Sequence, residues 1–127
     1  MTIQRVGQIV YGVTEIGAAV PFYRDVLGLV LKFTDGAQWA AFNLDGVTVA
    51  LSTEAGGGPR PGKSSTGPLV AFRVDDIHAF ADRLQAASVK ISAITEGGHE
   101  LRLEVTDPDG NVLMFYQPKA SSSVKGN

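Results

Sequence analysis

Cysteine is absent from this 127-residue chain, so no disulfide can staple the fold, no thiolate can act as a nucleophile and no sulfur-ligated metal site can form. Long apolar runs are missing too. No stretch approaches the ~18 consecutive apolar residues of a membrane-spanning helix, and the opening Met1-Thr2-Ile3-Gln4-Arg5 lacks the apolar region and cleavage site of a secretory signal. A third absence is charge of one sign. Eleven basic residues against thirteen acidic ones give a formal net charge of −2, collected into no run that would track phosphates or anionic lipid. Neither nucleic acid nor a membrane is an expected partner, and the cytoplasm is the expected location.

What is present suits a folded domain. With 44% hydrophobic residues, the chain is long enough to bury one core, and a single domain over residues 1–120 is expected. Residues 6–13 form a β-rich run. Thr14-Glu15 then offers a cap for an amphipathic stretch, 16–27, closed by Gly28. Three further strands follow at 29–33, 38–44 and 47–53, the last two joined by the tight-turn pair Asp45-Gly46. Residues 54–67, rich in glycine, proline and serine, hold no regular element and serve as a linker or flap. The order then recurs: a strand at 69–74, Asp75-Asp76 as cap, a helix at 77–87, and strands at 89–94, 100–106 and 112–117. Residues 121–127 read as a disordered tail.

Two copies of a βαβββ module, 6–53 and 68–118, are therefore present. Intervals within them agree. Gln8 precedes Glu15 by the same distance as Leu69 precedes Asp76, and Ala50 follows Asp45 by the same distance as Met114 follows Asp109.

The stretches Val13-Thr14-Glu15-Ile16, Phe22-Tyr23-Arg24-Asp25-Val26-Leu27-Gly28-Leu29, Val74-Asp75-Asp76-Ile77 and Asp107-Pro108-Asp109-Gly110-Asn111 resemble the signatures of the vicinal oxygen chelate superfamily, which includes glyoxalases, bleomycin-resistance proteins and dioxygenases. The resemblance spans about residues 6–118. It implies an α+β fold, two tandem βαβββ modules forming a curved mixed sheet around a cleft, commonly in a homodimer. It also implies that a metal, where relatives hold one, is ligated from four places that here are Gln8, Ala50, Leu69 and Met114. A divalent ion needs several hard or imidazole donors within about 2.0 to 2.6 Å. Only Gln8 supplies one, so no metal and no cofactor are expected, and metal-dependent glyoxalase, dioxygenase or thiol-transferase chemistry is not. His78, at a helix start, and His99, in a Gly-Gly turn, have no partner at ligand spacing and read as solvated surface groups.

Strand side chains alternate between faces. Fixing those four places toward the cleft adds Val10, Thr48, Ser52, Ala71, Arg73, Val112 and Tyr116 to its wall. The other face becomes Ile9, Tyr11, Val13, Val47, Val49, Leu51, Val70, Phe72, Val74, Leu113 and Phe115, apolar as a helix-covered face should be. A largely apolar cleft with a few polar groups suits an organic small molecule. Arg73 either pairs with an anionic ligand or with a nearby acid, Trp39 either stacks on a planar ligand or packs in the sheet, and Tyr116 and Met114 either touch ligand or fill volume. Arg102 and Glu104 alternate with Leu101, Leu103 and Val105, facing the cleft rim or forming an exposed ion pair. The expected function is metal-independent binding of an antibiotic, drug or metabolite. Alternatives are a metal-independent isomerase, cyclase or lyase of a biosynthetic pathway, with Tyr116, Glu104 or Arg73 in proton transfer or charge stabilisation, and a structural or regulatory dimer with an empty cleft.

Overall fold

The computed structural model describes residues 1–62 and 68–120. In chain order it contains β1 (Gln8–Gly12), α1 (Ile16–Pro21), a π-helical turn (Phe22–Val26), β2 (Val30–Asp35), β3 (Trp39–Leu44), β4 (Val47–Ser52), β5 (Ala71–Arg73), α2 (Ile77–Ala86), β6 (Thr95–Glu96), β7 (Glu100–Thr106) and β8 (Val112–Pro118). The class is α+β. The strands form two four-stranded mixed sheets of matching topology, β1-β4-β3-β2 and β5-β8-β7-β6. In each, the first strand of a module runs parallel to the last, and the remaining pairs are antiparallel. Among the described residues two compact units result: 1–62 with Pro108–Asn111, and 68–107 with 112–120.

In the first unit Tyr11, Val49, Leu51, Ala40 and Phe42 are buried, and α1 lies against β3 and β4. Tyr23 is the hub of this layer, its ring 6.2 Å from Tyr11, 5.4 Å from Phe22 and 6.1 Å from Phe42. The expected helix over 16–27 is interrupted. Pro21 lacks the N–H that would close an α turn, and the chain widens into the π-helical turn, where Leu27 donates to the Phe22 carbonyl at 2.9 Å. That turn carries Phe22 and Tyr23 inward and leaves Arg24 and Asp25 outside as an exposed two-bond ion pair. Gly28, at φ 82°, ends the segment in the left-handed conformation glycine tolerates. Glu15 occupies the N-cap without a side-chain cap bond; the neighbouring Thr14 N–H instead donates to Asp109 Oδ1 at 2.9 Å.

The second unit packs α2 on β7 and β8, with Ile77, Ala81 and Leu84 against a face where Leu103, Val105, Leu113 and Phe115 are buried. Phe115 stacks on Phe72 and meets Phe80 at 4.7 Å. Asp76 caps α2 as expected, accepting from Ala79 N at 3.1 Å. Asp76→Ala should therefore cost about 1 kcal/mol, a drop in Tm of roughly 3–5 °C that a thermal melt would register.

Two expected strands are corrected. The strand at 69–74 is ordered only over Ala71–Arg73, leaving Leu69 outside it and 62% exposed. Residues 89–94 form no strand. Ser92 Oγ accepts the Glu104 N–H at 2.9 Å, a side-chain substitute for a ladder bond, so this segment touches β7 through one bridge, Ile91 to Val105, and regular pairing starts at Thr95. Residues 63–67, the end of the expected linker, and 121–127, the expected tail, lie outside the described residues.

Candidate functional site

The Asp45-Gly46 turn sets the first sheet's register. Both residues have positive φ, 50° and 86°, as a two-residue primed hairpin turn requires, and Leu44 pairs with Val47. Counting back from that pair, Asn43 meets Thr48, Ala41 meets Ala50 and Trp39 meets Ser52. On the other side of β4, Gln8 meets Thr48 and Val10 meets Ala50. Registered residues point to one side, so three rows cross this face: Gln8, Thr48 and Asn43; Val10, Ala50, Ala41 and Phe33; Gly12, Ser52, Trp39 and Asp35.

The face is not uniformly open. Gln8 is exposed, Val10, Thr48 and Trp39 are half-buried, and Ala50 and Ser52 have no exposed surface. Over the third row the glycine-rich segment folds back. A methyl added at Gly58 would lie 2.5 Å from Ser52 Cβ, and one at Gly12 would lie 2.1 Å from the Pro59 carbonyl oxygen. Asn111 fastens this strap, donating from Nδ2 to the Gly12 carbonyl at 2.7 Å and accepting from Gly62 N at 3.0 Å. The sequence reads this segment as a linker or flap, but its seat against Gly12 and Ser52 has no local signal. Sequence reasoning missed Ala41, Asn43 and Phe33, which were accessible by counting from Asp45-Gly46.

On the second sheet the corresponding face carries two rows. Ala71, Met114 and Glu104 share one. Arg73, Tyr116, Arg102 and Thr95 share the other. Ala71, Arg73, Arg102 and Glu104 are exposed, Tyr116 is half-buried and Met114 is 7% exposed. Arg102 takes Glu100 as its partner, at 3.6 Å. The expected Arg102–Glu104 pair is therefore replaced by one with the residue two positions earlier on the same face. At the end of β5 and β8 an open depression of about 540 Å³ is lined by Arg73, Val74, Asp75, Gln117, Pro118 and Lys119. Lys119 pairs with Glu96 and holds its carboxyl below the usual glutamate range. The stabilisation from that pair is therefore present above the ordinary glutamate pKa and is lost as acid takes the pH through the lowered value.

At Gln8, Ala50, Leu69 and Met114, the places to which the family resemblance assigns metal ligands, the side chains present do not fit a hard divalent ion. Alanine and leucine have no donor atom, the Met114 thioether is soft and weak, and Gln8 alone is no chelate. His78 and His99 are exposed. Among the described residues, no group of three or more His, Asp or Glu is placed to hold a metal.

Residues 5–115 match the pattern of the Glyoxalase/Bleomycin resistance protein/Dioxygenase superfamily. An uncharacterized protein of Mycolicibacterium smegmatis is 35% identical over 122 residues, covering 93% of this chain and 97% of its own length. The metallothiol transferase FosB of Lysinibacillus sphaericus is 26% identical over 120 residues, covering 91% and 84%. Among solved structures, TnmS3, an antibiotic-binding protein from a Streptomyces species, superposes with a TM-score of 0.76 at 25% identity, covering 94% of this chain and 99% of its own.

Proposed function

Because this chain belongs to the Glyoxalase/Bleomycin resistance protein/Dioxygenase superfamily, we propose that it binds an organic small molecule, an antibiotic, drug or metabolite, without a metal ion. What carries the proposal is that three of the four places to which the family resemblance assigns metal ligands hold alanine, leucine and methionine. Those residues turn a charged centre into a small apolar surface, the kind that contacts organic ligands through area rather than coordination. The antibiotic-binding protein TnmS3, similar over nearly the whole chain, supports the same class of ligand. FosB is named for metal-dependent thiol transfer, chemistry for which the donor set here is inadequate.

The contact residues proposed are Gln8, Val10, Trp39, Thr48, Ala50 and Ser52 on the first sheet, Ala71, Arg73, Arg102, Met114 and Tyr116 on the second, and Leu69 beside it. A homodimer and a cytoplasmic location belong to the same proposal. Turnover is the second reading, favoured by one juxtaposition: Glu104 sits two registered pairs from Tyr116, in the next row of the same face, with Arg73 across from that tyrosine. A carboxylate, a phenol and a guanidinium on one face are the parts general acid-base chemistry uses.

Native mass spectrometry of the freshly purified protein, followed by incubation with planar aromatic antibiotics, tests both. A metal-free protein that retains a compound and releases it unchanged supports binding, whereas release of a product supports turnover. Zinc, nickel or manganese added to the protein should leave Tm unmoved. A genuine site filled at a hundred times its Kd would contribute about 2.7 kcal/mol, roughly 10 °C, and a shift of that size, or one equivalent of metal in the spectrum, would sink the proposal.

A further inference from the structure

We infer that the row Arg73, Tyr116, Arg102 on the second sheet recognises the carboxylate of a planar, singly charged organic anion, an inference that rests on the small-molecule reading above and narrows its ligand. The duplicated module supplies an internal control. In the first module the positions equivalent to Arg73, Tyr116 and Arg102 are Gly12, Ser52 and Trp39, since Gly12 meets Ser52 and Ser52 meets Trp39 just as Arg73 meets Tyr116 and Tyr116 meets Arg102. There the row is filled from within. Ser52 has no exposed surface, and Gly12 has no room for a methyl beneath Pro59. In the second module the same row bears two exposed guanidinium groups on either side of a half-buried phenol.

Neighbouring strands lie about 4.8 Å apart, so both arginine side chains reach the space above Tyr116. Arg73 forms no ion pair with any described residue. Among the described residues Arg102 pairs with Glu100, at 3.6 Å in an exposed pair of the kind that contributes little and exchanges readily. A planar fork can grip a carboxylate through two bonds, while the Tyr116 ring offers a flat surface for the attached aromatic body. The depression of about 540 Å³ beside Arg73 is within the size range of small-molecule sites.

Charge nearby limits the ligand. Glu104 stands on the same face, two registered pairs along, opposite Met114, and with Glu100 it leaves the two arginines opposed by two carboxylates. One negative charge fits between the guanidinium groups; a dianion would meet Glu104 and Asp75, and the further cation at the depression, Lys119, is already paired with Glu96.

Titration calorimetry on the full chain with 1-naphthoate, the neutral 1-naphthalenemethanol and 1-naphthyl phosphate tests the inference. Naphthoate should bind at least about ten-fold more tightly than the alcohol, as a charge-assisted pair warrants, and more tightly than the phosphate. Arg73→Gln should erase that preference, weakening naphthoate at least about ten-fold more than it weakens the alcohol, and Arg102→Gln should reduce it. Equal affinities for naphthoate and the alcohol in the unmodified protein would overturn the inference and leave the small-molecule reading standing. Equal loss of both ligands in Arg73→Gln would likewise overturn it, because a merely structural arginine acts that way. If none of the three compounds nor any planar antibiotic binds, the small-molecule reading falls and the inference with it.

Discussion

Truncating Tyr23 to alanine should remove about 3–5 kcal/mol of folding free energy, a large share of what holds a domain of this size together. Its side chain is completely buried and meets three other rings, so the change deletes both the burial of an aromatic and its edge and tilt contacts. The surroundings relax poorly, because two of those rings stand on β-strands whose registers are tied to β4. Urea denaturation gives the measurement, with Tyr23→Phe as its companion: keeping the ring and losing the hydroxyl should cost about 1 kcal/mol. A phenylalanine variant as damaged as the alanine one would mean that the hydroxyl, not the ring, organises this core.

Gly12→Ala should destabilise the chain by about 1–3 kcal/mol through overpacking. The added methyl would sit 2.1 Å from the Pro59 carbonyl oxygen, 2.8 Å from its carbon and 2.9 Å from the Arg60 carbonyl carbon. All three are backbone atoms and cannot swing aside like a side-chain tip. The strap must lift, and hydrogen exchange at residues 56–62 should quicken relative to the strands beneath. Gly17→Ala reverses the sign: nothing lies within 4 Å of its added methyl, and an exposed helical glycine replaced by alanine gains up to about 1 kcal/mol. Two glycine-to-alanine changes five residues apart should thus move the urea midpoint in opposite directions. If Gly12→Ala is neutral, the strap does not rest on β1.

How far the residues alone announce this arrangement depends on the range of the interaction. The duplicated module, the apolar face under each helix and the Asp76 cap all follow from periodicities and pairs a few residues apart, and all are present. Alternation likewise separates Leu103 and Val105, buried, from Arg102 and Glu104, exposed. Failures occur where a distant partner displaces the local one. Glu15 takes the expected N-cap position but makes no side-chain cap bond, and the helix start is tied instead by Thr14 N–H donating to the distant Asp109. Residues 89–94 look like a strand, but Ser92 offers its hydroxyl in place of a regular ladder. Alternation says which way Ala50 points and nothing about its exposure, which is nil.

The proposed ligand face divides along the same line. Its members follow from counting along strands, whereas the contrast between a strapped first module and an open second one depends on where residues 54–62 come to rest.

The Asn111 clasp bears on how the protein is made. Gly12 and Asn111 are separated by 99 positions and Thr14 and Asp109 by 95, yet the turn Pro108–Asn111 belongs to the first compact unit. A ribosome that has released the whole first module has still not delivered the residues that lock it. Folding during synthesis must wait with β1 and its strap unfastened until residue 111 has left the exit tunnel, so the N-terminal half, emerging first, is completed among the last.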